Sequence, residues 1–187
     1  MSSKDKEKWN RKYNVKQYIE GKIPSDWLTC NSEVLTGNGR ALDIAMGEGR
    51  NSIYLAQLGF KVTGIDISDI GIKKANTLAK EKNIKLEVVL ADLDEYKFKK
   101  NFFDLVICFN FLDRSLFPKI RETIIPGGLI IYETFTIDFL KYSSFKKEWV
   151  LGCGELLQEF HGYRILRYRE LDDGYKGIAS IIAQKTL

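Results

Sequence analysis

RALDIAMGEGRN, residues 40–51, packs a strand, a turn and the start of a helix into one short passage. Ala41, Leu42, Ile44 and Ala45 form an apolar run interrupted by a single acid, Asp43. Two glycines follow, Gly47 and Gly49, and then a helical pattern over 51–58 that Gly59 closes. Glycine belongs where the backbone must take positive φ or where another group must come close to it. The free N–H groups at a helix start attract polar or anionic ligand atoms. Alone, this GxG pattern fits an ordinary strand-to-helix turn. Its surroundings distinguish it.

Downstream, apolar runs alternate with helical patterns. Strands are expected at 41–45, 61–65, 86–90, 103–109 and 129–134, with helices at 51–58, 69–82 and 115–123. In the middle helix Ile72, Ala75 and Ala79 share a face, and Ser68 suits its N-cap. Strands that are nearly continuous apolar runs between helices predict a parallel sheet covered on both faces. The tail differs. A helix at 155–160 leads to strands at 163–171 and 178–184 joined through Asp172-Asp173-Gly174, which predicts an antiparallel hairpin. Upstream, a helix is expected over 4–20 with Trp9, Tyr13 and Tyr18. An irregular passage at Gly21, Pro24 and Ser25 follows it, then a short helix within 26–36. The fold class is α/β, doubly wound, with a mostly parallel seven-stranded sheet.

The 187 residues, 44% hydrophobic and 29% charged, suit one globular domain. No apolar run approaches the ~18 residues of a membrane span. MSSKDKEKWNRKY lacks the apolar core of a signal peptide, so a cytoplasmic location is expected. Cys30, Cys108 and Cys153 are odd in number and widely spaced, and the one histidine is His161; this argues against a zinc or iron–sulfur site. The net charge is +4, and much of the excess lies at Lys4, Lys6, Lys8, Arg11, Lys12 and Lys16. That pattern reads as a solvated helix face rather than a nucleic-acid footprint.

In open α/β sheets, ligands bind at the carboxyl ends of the strands. The second expected strand delivers Asp66 there, 17 residues beyond Gly49. Its two oxygens suit a ribose diol. The third delivers Asp92 and Leu93, suited to an adenine amino group and ring. The fourth ends in Asn110, Phe111, Leu112, Asp113 and Arg114. A dinucleotide or an adenosyl sulfonium would fit such a set. The dinucleotide fingerprint needs a third glycine where Ser52 stands, and Asp43, Pro126-Gly127-Gly128 and the terminal hairpin also depart from it.

Taken together, these residues resemble a class I S-adenosylmethionine-dependent methyltransferase along almost the whole chain. LDIAMGEGRN resembles the first motif, with Ala45 in place of its usual first glycine, VTGIDIS the second and ADLDEY the third. FDLVICFNFLDRSLFP with IIPGGLIIYETFT is similar to the tellurite-resistance-type branch, and Trp9-Asn10-Arg11-Lys12-Tyr13 resembles its N-terminal W-x-x-x-Y lid. The resemblance implies a Rossmann-like core over 37–187, a helical lid over 1–36, and S-adenosyl-L-methionine as cofactor. It implies that the cofactor site comprises Tyr13, Asp43, Ala45, Gly47, Gly49, Arg50, Asp66, Ile67, Asp92, Leu93 and Asn110. Within it the Gly47–Gly49 backbone would hold the methionine portion, Asp66 the ribose, Asp92 and Leu93 the adenine, and Asn110 the methionyl amino region. Tyr13 or Arg50 would approach the cofactor carboxylate.

A sulfonium is already a strong electrophile, so the protein has mainly to align the reactants and exclude water. If a general base is used, Glu133 at the end of the fifth strand is the first candidate, then Asp113 and Tyr132; a structural acceptor role is the preferred reading of Glu133. His161 reads as a helix-end cap or surface residue. Phe111, Phe135, Phe139, Tyr142, Phe145 and Trp149 suit the wall of a substrate pocket, with Arg114 and Lys141 as a positive rim. The expected acceptor is a small molecule, a metalloid oxyanion or a thiol among the options, and nucleic acid is not an expected partner. An RNA or protein methyltransferase and a non-catalytic cofactor-binding protein are the alternatives.

Overall fold

The computed structural model describes residues 3–187, so the first two residues of the expected 1–36 lid lie outside the described residues. The helices are α1 (Ser3–Tyr13), α2 (Asp26–Thr29), α3 (Arg50–Gln57), α4 (Asp69–Glu81), α5 (Leu116–Thr123) and α6 (Glu155–Glu159). The strands are β1 (Arg40–Ile44), β2 (Lys61–Asp66), β3 (Glu87–Leu90), β4 (Phe103–Phe109), β5 (Ile124–Phe135), β6 (Tyr163–Asp172) and β7 (Gly177–Lys185). They form a seven-stranded sheet in the order β3-β2-β1-β4-β5-β7-β6. β1 pairs parallel to β2, β2 to β3 and β4 to β5, while β7 runs antiparallel to both β5 and β6. This is the expected mostly parallel α/β sheet with a C-terminal hairpin. The chain divides into two compact units, one through Lys97 and one from Phe98.

In the first unit β1 and β2 are buried beyond their first residue, which is why both read as nearly continuous apolar runs. α4 begins on the expected cap: the Ser68 hydroxyl accepts from the Gly71 N–H at 3.0 Å. Its inner face, Leu78 and Ala79, packs with Ile53 of α3, and Tyr18, Ile84 and Leu86 extend that cluster.

Two expectations about this unit are corrected. The helix over 4–20 stops at Tyr13, and 14–25 form an irregular strap. Strap backbone groups bond to side chains elsewhere instead of to a helical ladder: the Ile19 N–H reaches Glu48 and the Ser25 N–H reaches Asn51. The short helix within 26–36 is two pieces, α2 and a 3-10 turn at Ser32–Val34.

In the second unit β5 begins at Ile124, so Pro126-Gly127-Gly128 lies inside the strand and not ahead of it. The register against β4 jumps from Phe103↔Ile124 to Leu105↔Leu129. The chain bulges there, and a bulge tolerates proline and glycine. β7 is buried along most of its length and lies between β5 and β6, whereas β6 is exposed at its far end. α6 is followed by His161, whose Nδ1 lies 2.7 Å from the Gln158 carbonyl, a helix-end contact.

Candidate functional site

In the first unit the turn after β1 takes left-handed backbone at every second residue: φ is 56° at Ala45, 55° at Gly47 and 83° at Gly49. An alanine in that region costs about 1 kcal/mol, which is the physical reason a glycine would be favoured at position 45. The turn is tied down where the Met46 N–H donates to the Ile65 carbonyl at 2.9 Å and the Gly49 N–H to the Met46 carbonyl at 3.0 Å. It is also crowded. A Cβ on Gly47 would lie 2.7 Å from the Tyr13 hydroxyl, and one on Gly49 would lie 2.7 Å from the Ala75 Cβ.

Two buried acids back this turn. Asp43 on β1 accepts the Ser52 hydroxyl at 2.6 Å. Burial pushes its pKa up to about 7, the Ser52 hydrogen bond opposing the rise and Asp66 adding to it. Asp66, at the end of β2, accepts the Gly47 N–H at 2.7 Å on one oxygen and the Ser68 N–H at 2.8 Å on the other. Burial raises its pKa as well, against the pull of those N–H groups. The Ile67 N–H pulls on the same carboxylate. Ile67 and Leu93 are buried, and the half-buried Asp92 accepts the Asp94 N–H at 2.9 Å.

Tyr13 ends α1 with its ring against Gly71 and its hydroxyl over Gly47. Trp9 stacks on it at 5.7 Å, as their spacing of one helical turn implies. Burial raises the Tyr13 pKa, with Asp66, Glu48 and Glu20 adding to it. Arg50 donates to the carbonyls of Glu20 at 2.9 Å and Ile23 at 3.3 Å, so its guanidinium holds the strap. Four residues of this region to which the sequence assigns no individual role also engage: Asn10, Glu48, Asn51 and Lys74. Asn10 accepts the Ser68 hydroxyl at 2.6 Å and donates to Asp69 at 2.8 Å. For Glu48 a signal did exist, because a carboxylate between two turn glycines has little reason to be there for the backbone's sake.

In the second unit Asn110 follows β4 with φ 55°, and its N–H donates to the Glu133 carbonyl at 2.9 Å. The Glu133 carboxylate on β5 accepts the Ser180 hydroxyl at 2.6 Å and Arg169 Nη2 at 3.2 Å. The Tyr132 hydroxyl is buried and donates to the Phe111 carbonyl at 2.9 Å; burial raises its pKa, with Cys108 adding to the rise. Asp113 accepts both the N–H and the hydroxyl of Ser115, at 2.9 and 2.8 Å, ahead of α5. All three candidate bases are thus engaged within their own unit.

The rings after β5 gather as a cluster. Phe135 stacks on Phe139 at 4.2 Å, Phe145 meets both edge-on, and Trp149 meets Phe145 at 6.1 Å. Tyr142, Phe145 and Trp149 are exposed, so this is no buried core. The expected positive rim is corrected. Arg114 pairs with Glu155 and donates to the carbonyls of Glu148 and Val150, and Lys141 pairs with Asp138 and Asp172. Carboxylates already neutralise both cations.

Comparison with known proteins follows the same outline. Residues 41–128 match the family described as Methyltransferase domain. A probable S-adenosyl-L-methionine-dependent methyltransferase, TehB of Haemophilus influenzae, is 28% identical over 138 residues, covering 70% of this chain and 48% of the relative. A ubiquinone biosynthesis O-methyltransferase of Rickettsia akari is 30% identical over 116 residues, covering 59% of this chain and 43% of the relative. The chain therefore spans about half the length of these sequence relatives or less. The crystal structure of TehB from Haemophilus influenzae shares the fold, with a TM-score of 0.73 at 21% identity, over 97% of this chain and 67% of that one. Among the described residues, no helix is long and apolar enough to cross a membrane. The central residues thus match the Methyltransferase domain family, and the whole chain shares its fold with TehB.

Proposed function

We propose that this chain transfers a methyl group from S-adenosylmethionine to a small-molecule acceptor, with a thiol as the preferred class. The observation that carries the reading is the turn from Ala45 to Gly49: three left-handed residues, no space for a Cβ at either glycine, and two buried carboxylates behind it. With its Met46, Gly47 and Gly49 N–H groups already bonded within the protein, such a turn leaves backbone carbonyls as acceptors with negative charge nearby, which fits the amino group and positive sulfur of the cofactor. When bound, that cofactor supplies an activated methyl group. In this reading Gly47 and Gly49 hold its methionine portion through the backbone, with Ala45 and Asp43 shaping the turn. Asp66 gives what acceptor capacity the Gly47, Ile67 and Ser68 N–H groups leave it to the ribose, beside Ile67. Asp92 and Leu93 serve the adenine and Asn110 the amino group. Tyr13 covers the turn, and Arg50 contributes by holding the strap.

The chain's own residues then bind, orient and exclude water. Glu133, Tyr132 and Asp113 are each committed to neighbours, which supports an acceptor that needs no base, such as a thiol that ionises near neutral pH. The pairing of Arg114 and Lys141 with carboxylates favours a thiol over a metalloid oxyanion. The aromatic cluster after β5 supports a compact, dry acceptor site.

A methyl-transfer assay offering small thiols, phenols, metalloid oxyanions and total RNA tests this. Transfer to thiols is expected. Salt-sensitive incorporation into RNA alone would overturn the acceptor class. Tight binding of the cofactor without transfer to anything offered would point to a binding protein instead.

A further inference from the structure

We propose that Glu48 is a positioning residue: it clamps the strap, residues 14–25, onto the glycine turn and so sets Tyr13 over Gly47. The proposal rests on the cofactor reading above and goes on to ask what keeps that site covered.

The Glu48 side chain is 2% exposed although it projects from a turn between two glycines. A buried carboxylate must be paired and hydrogen-bonded to persist. Both of its oxygens are. Oε2 accepts the Ile19 N–H at 2.7 Å, and Oε1 accepts Lys74 Nζ at 2.7 Å. The same ammonium donates to the Gln17 carbonyl at 2.7 Å. Turn, strap and α4 therefore meet at one ion pair. Tyr18 adds to it: its hydroxyl donates to the Lys74 carbonyl at 3.1 Å, and its ring lies 5.3 Å from Lys74 Nζ.

Nothing else about the strap is regular, so these side-chain bonds decide where its first half lies, while Arg50 and Asn51 hold its second half. Three residues separate Tyr13 at the end of α1 from Gln17, the first strap residue held by Lys74. Without Glu48 the Ile19 N–H and the Lys74 ammonium would each lose a charged partner in a half-buried place, and the strap would lift. Tyr13 would then lose its fixed approach to the turn. The consequence is faster escape of a bound ligand with unchanged chemistry of the turn itself, since Glu48 contributes only its side chain to the clamp.

The test uses the full chain, with S-adenosylhomocysteine as the probe. Glu48→Ala is expected to speed hydrogen exchange of the Ile19 amide at least tenfold in the ligand-free protein. It should also speed release of the probe about tenfold, with core amides of α4 unmoved. Glu48→Gln keeps an acceptor for Ile19 without the charge and should recover part of both effects, and Lys74→Met should reproduce the loosened strap. These two variants also carry the test if Glu48→Ala does not fold. Unchanged exchange at Ile19, or faster exchange with unchanged release, overturns the proposal. If the parent chain itself does not bind the probe, the cofactor reading fails, and the clamp is then judged on exchange alone.

Discussion

The two units hold their irregular segments by different chemistry. In the first, the strap is fixed by hydrogen bonds from side chains to backbone, supplied by Glu48, Lys74, Arg50 and Asn51. In the second, the segment after β5 is held chiefly by rings, Phe135, Phe139, Phe145 and Trp149, with Arg114 bonding the carbonyls of Glu148 and Val150. Polar fastenings of a partly exposed segment exchange readily with water, so each is worth little net and can be remade. Ring packing scales with buried area and is not screened by sodium chloride as an ion pair is. The first arrangement suits a cover that must open, the second a wall that must stay.

The sharpest difference concerns buried charge. Asp43 rises from 3.8 to about 7 through burial, so the folded protein binds a proton more readily than the unfolded chain. Between those values the folded state holds more protons, and stability therefore falls as pH rises through about 4 to 7 and stays low above it. The gap corresponds to up to about 4 kcal/mol at 1.36 kcal/mol per pH unit. Asp43→Asn keeps an acceptor for Ser52 and removes the charge. Denaturation at pH 5 and pH 8 should show the variant more stable than the parent at pH 8, with the advantage shrinking at pH 5; Asp66 leaves some slope in both. Parallel behaviour at the two pH values would place Asp43 in wetter surroundings than its 3% exposure implies.

Next in size is Asp66→Ala. Losing a carboxylate that accepts charge-assisted bonds should lower affinity for S-adenosylhomocysteine by on the order of 2–3 kcal/mol, roughly 30- to 150-fold. Calorimetry checks it, and affinity within twofold of the parent would remove Asp66 from the site.

What was legible in the sequence divides along the same line. β1, β2, β4 and the start of α4 could be read because their signals are local: an apolar run, a glycine turn, a serine three residues ahead of Gly71. The strap could not. Its partners Glu48 and Lys74 lie 29 and 57 residues from the atoms they hold at Ile19 and Gln17, and no periodicity reports such a contact. The one-turn spacing of Trp9 and Tyr13 suggests a helix that runs on to about residue 20, and tertiary hydrogen bonds override it after Tyr13. At the site, residue types at strand ends were readable, whereas their engagement was not. The sequence favours an acceptor role for Glu133 over a base, but the donor that engages it, Ser180, lies 47 residues on. Arg114 and Lys141 look like a free positive rim until their carboxylate partners are placed.

The wall in the second unit is probed by Phe139→Ala. Phe139 stacks on Phe135 at 4.2 Å and meets Phe145 at 5.1 Å, but it is only half buried. The cost should be about 2 kcal/mol, below that of a fully buried phenylalanine. Measured in low and high sodium chloride, the loss should be nearly the same. A salt-dependent loss would mean that ion pairs such as Lys141 with Asp172, and not the rings, hold this segment.

The smallest effect tests whether the first unit's polar fastenings act together. Ser68 both caps α4, accepting from Gly71 at 3.0 Å, and donates to Asn10 of α1 at 2.6 Å. Asn10 in turn donates to Asp69 at 2.8 Å, and Lys6 pairs with the same carboxylate at 3.3 Å, so α1 is docked on the first turn of α4 through Ser68, Asn10 and an exposed ion pair. Ser68→Ala should cost about 1 kcal/mol of stability, the usual worth of such a cap. If that were its only role, the amides of α1 would exchange as in the parent until the whole protein unfolds. Because the same hydroxyl also holds Asn10, α1 should exchange faster in Ser68→Ala at conditions where α3 and β1 remain protected. Ser68→Thr, which keeps the hydroxyl, should restore both stability and protection. Asn10→Ala should reproduce the loosened α1 while leaving the cap on α4 intact. A cap defect with α1 unmoved would mean that the Tyr13 ring against Gly71, and not the polar link, docks the helix, and the first unit would then resemble the second more closely than its hydrogen bonds imply.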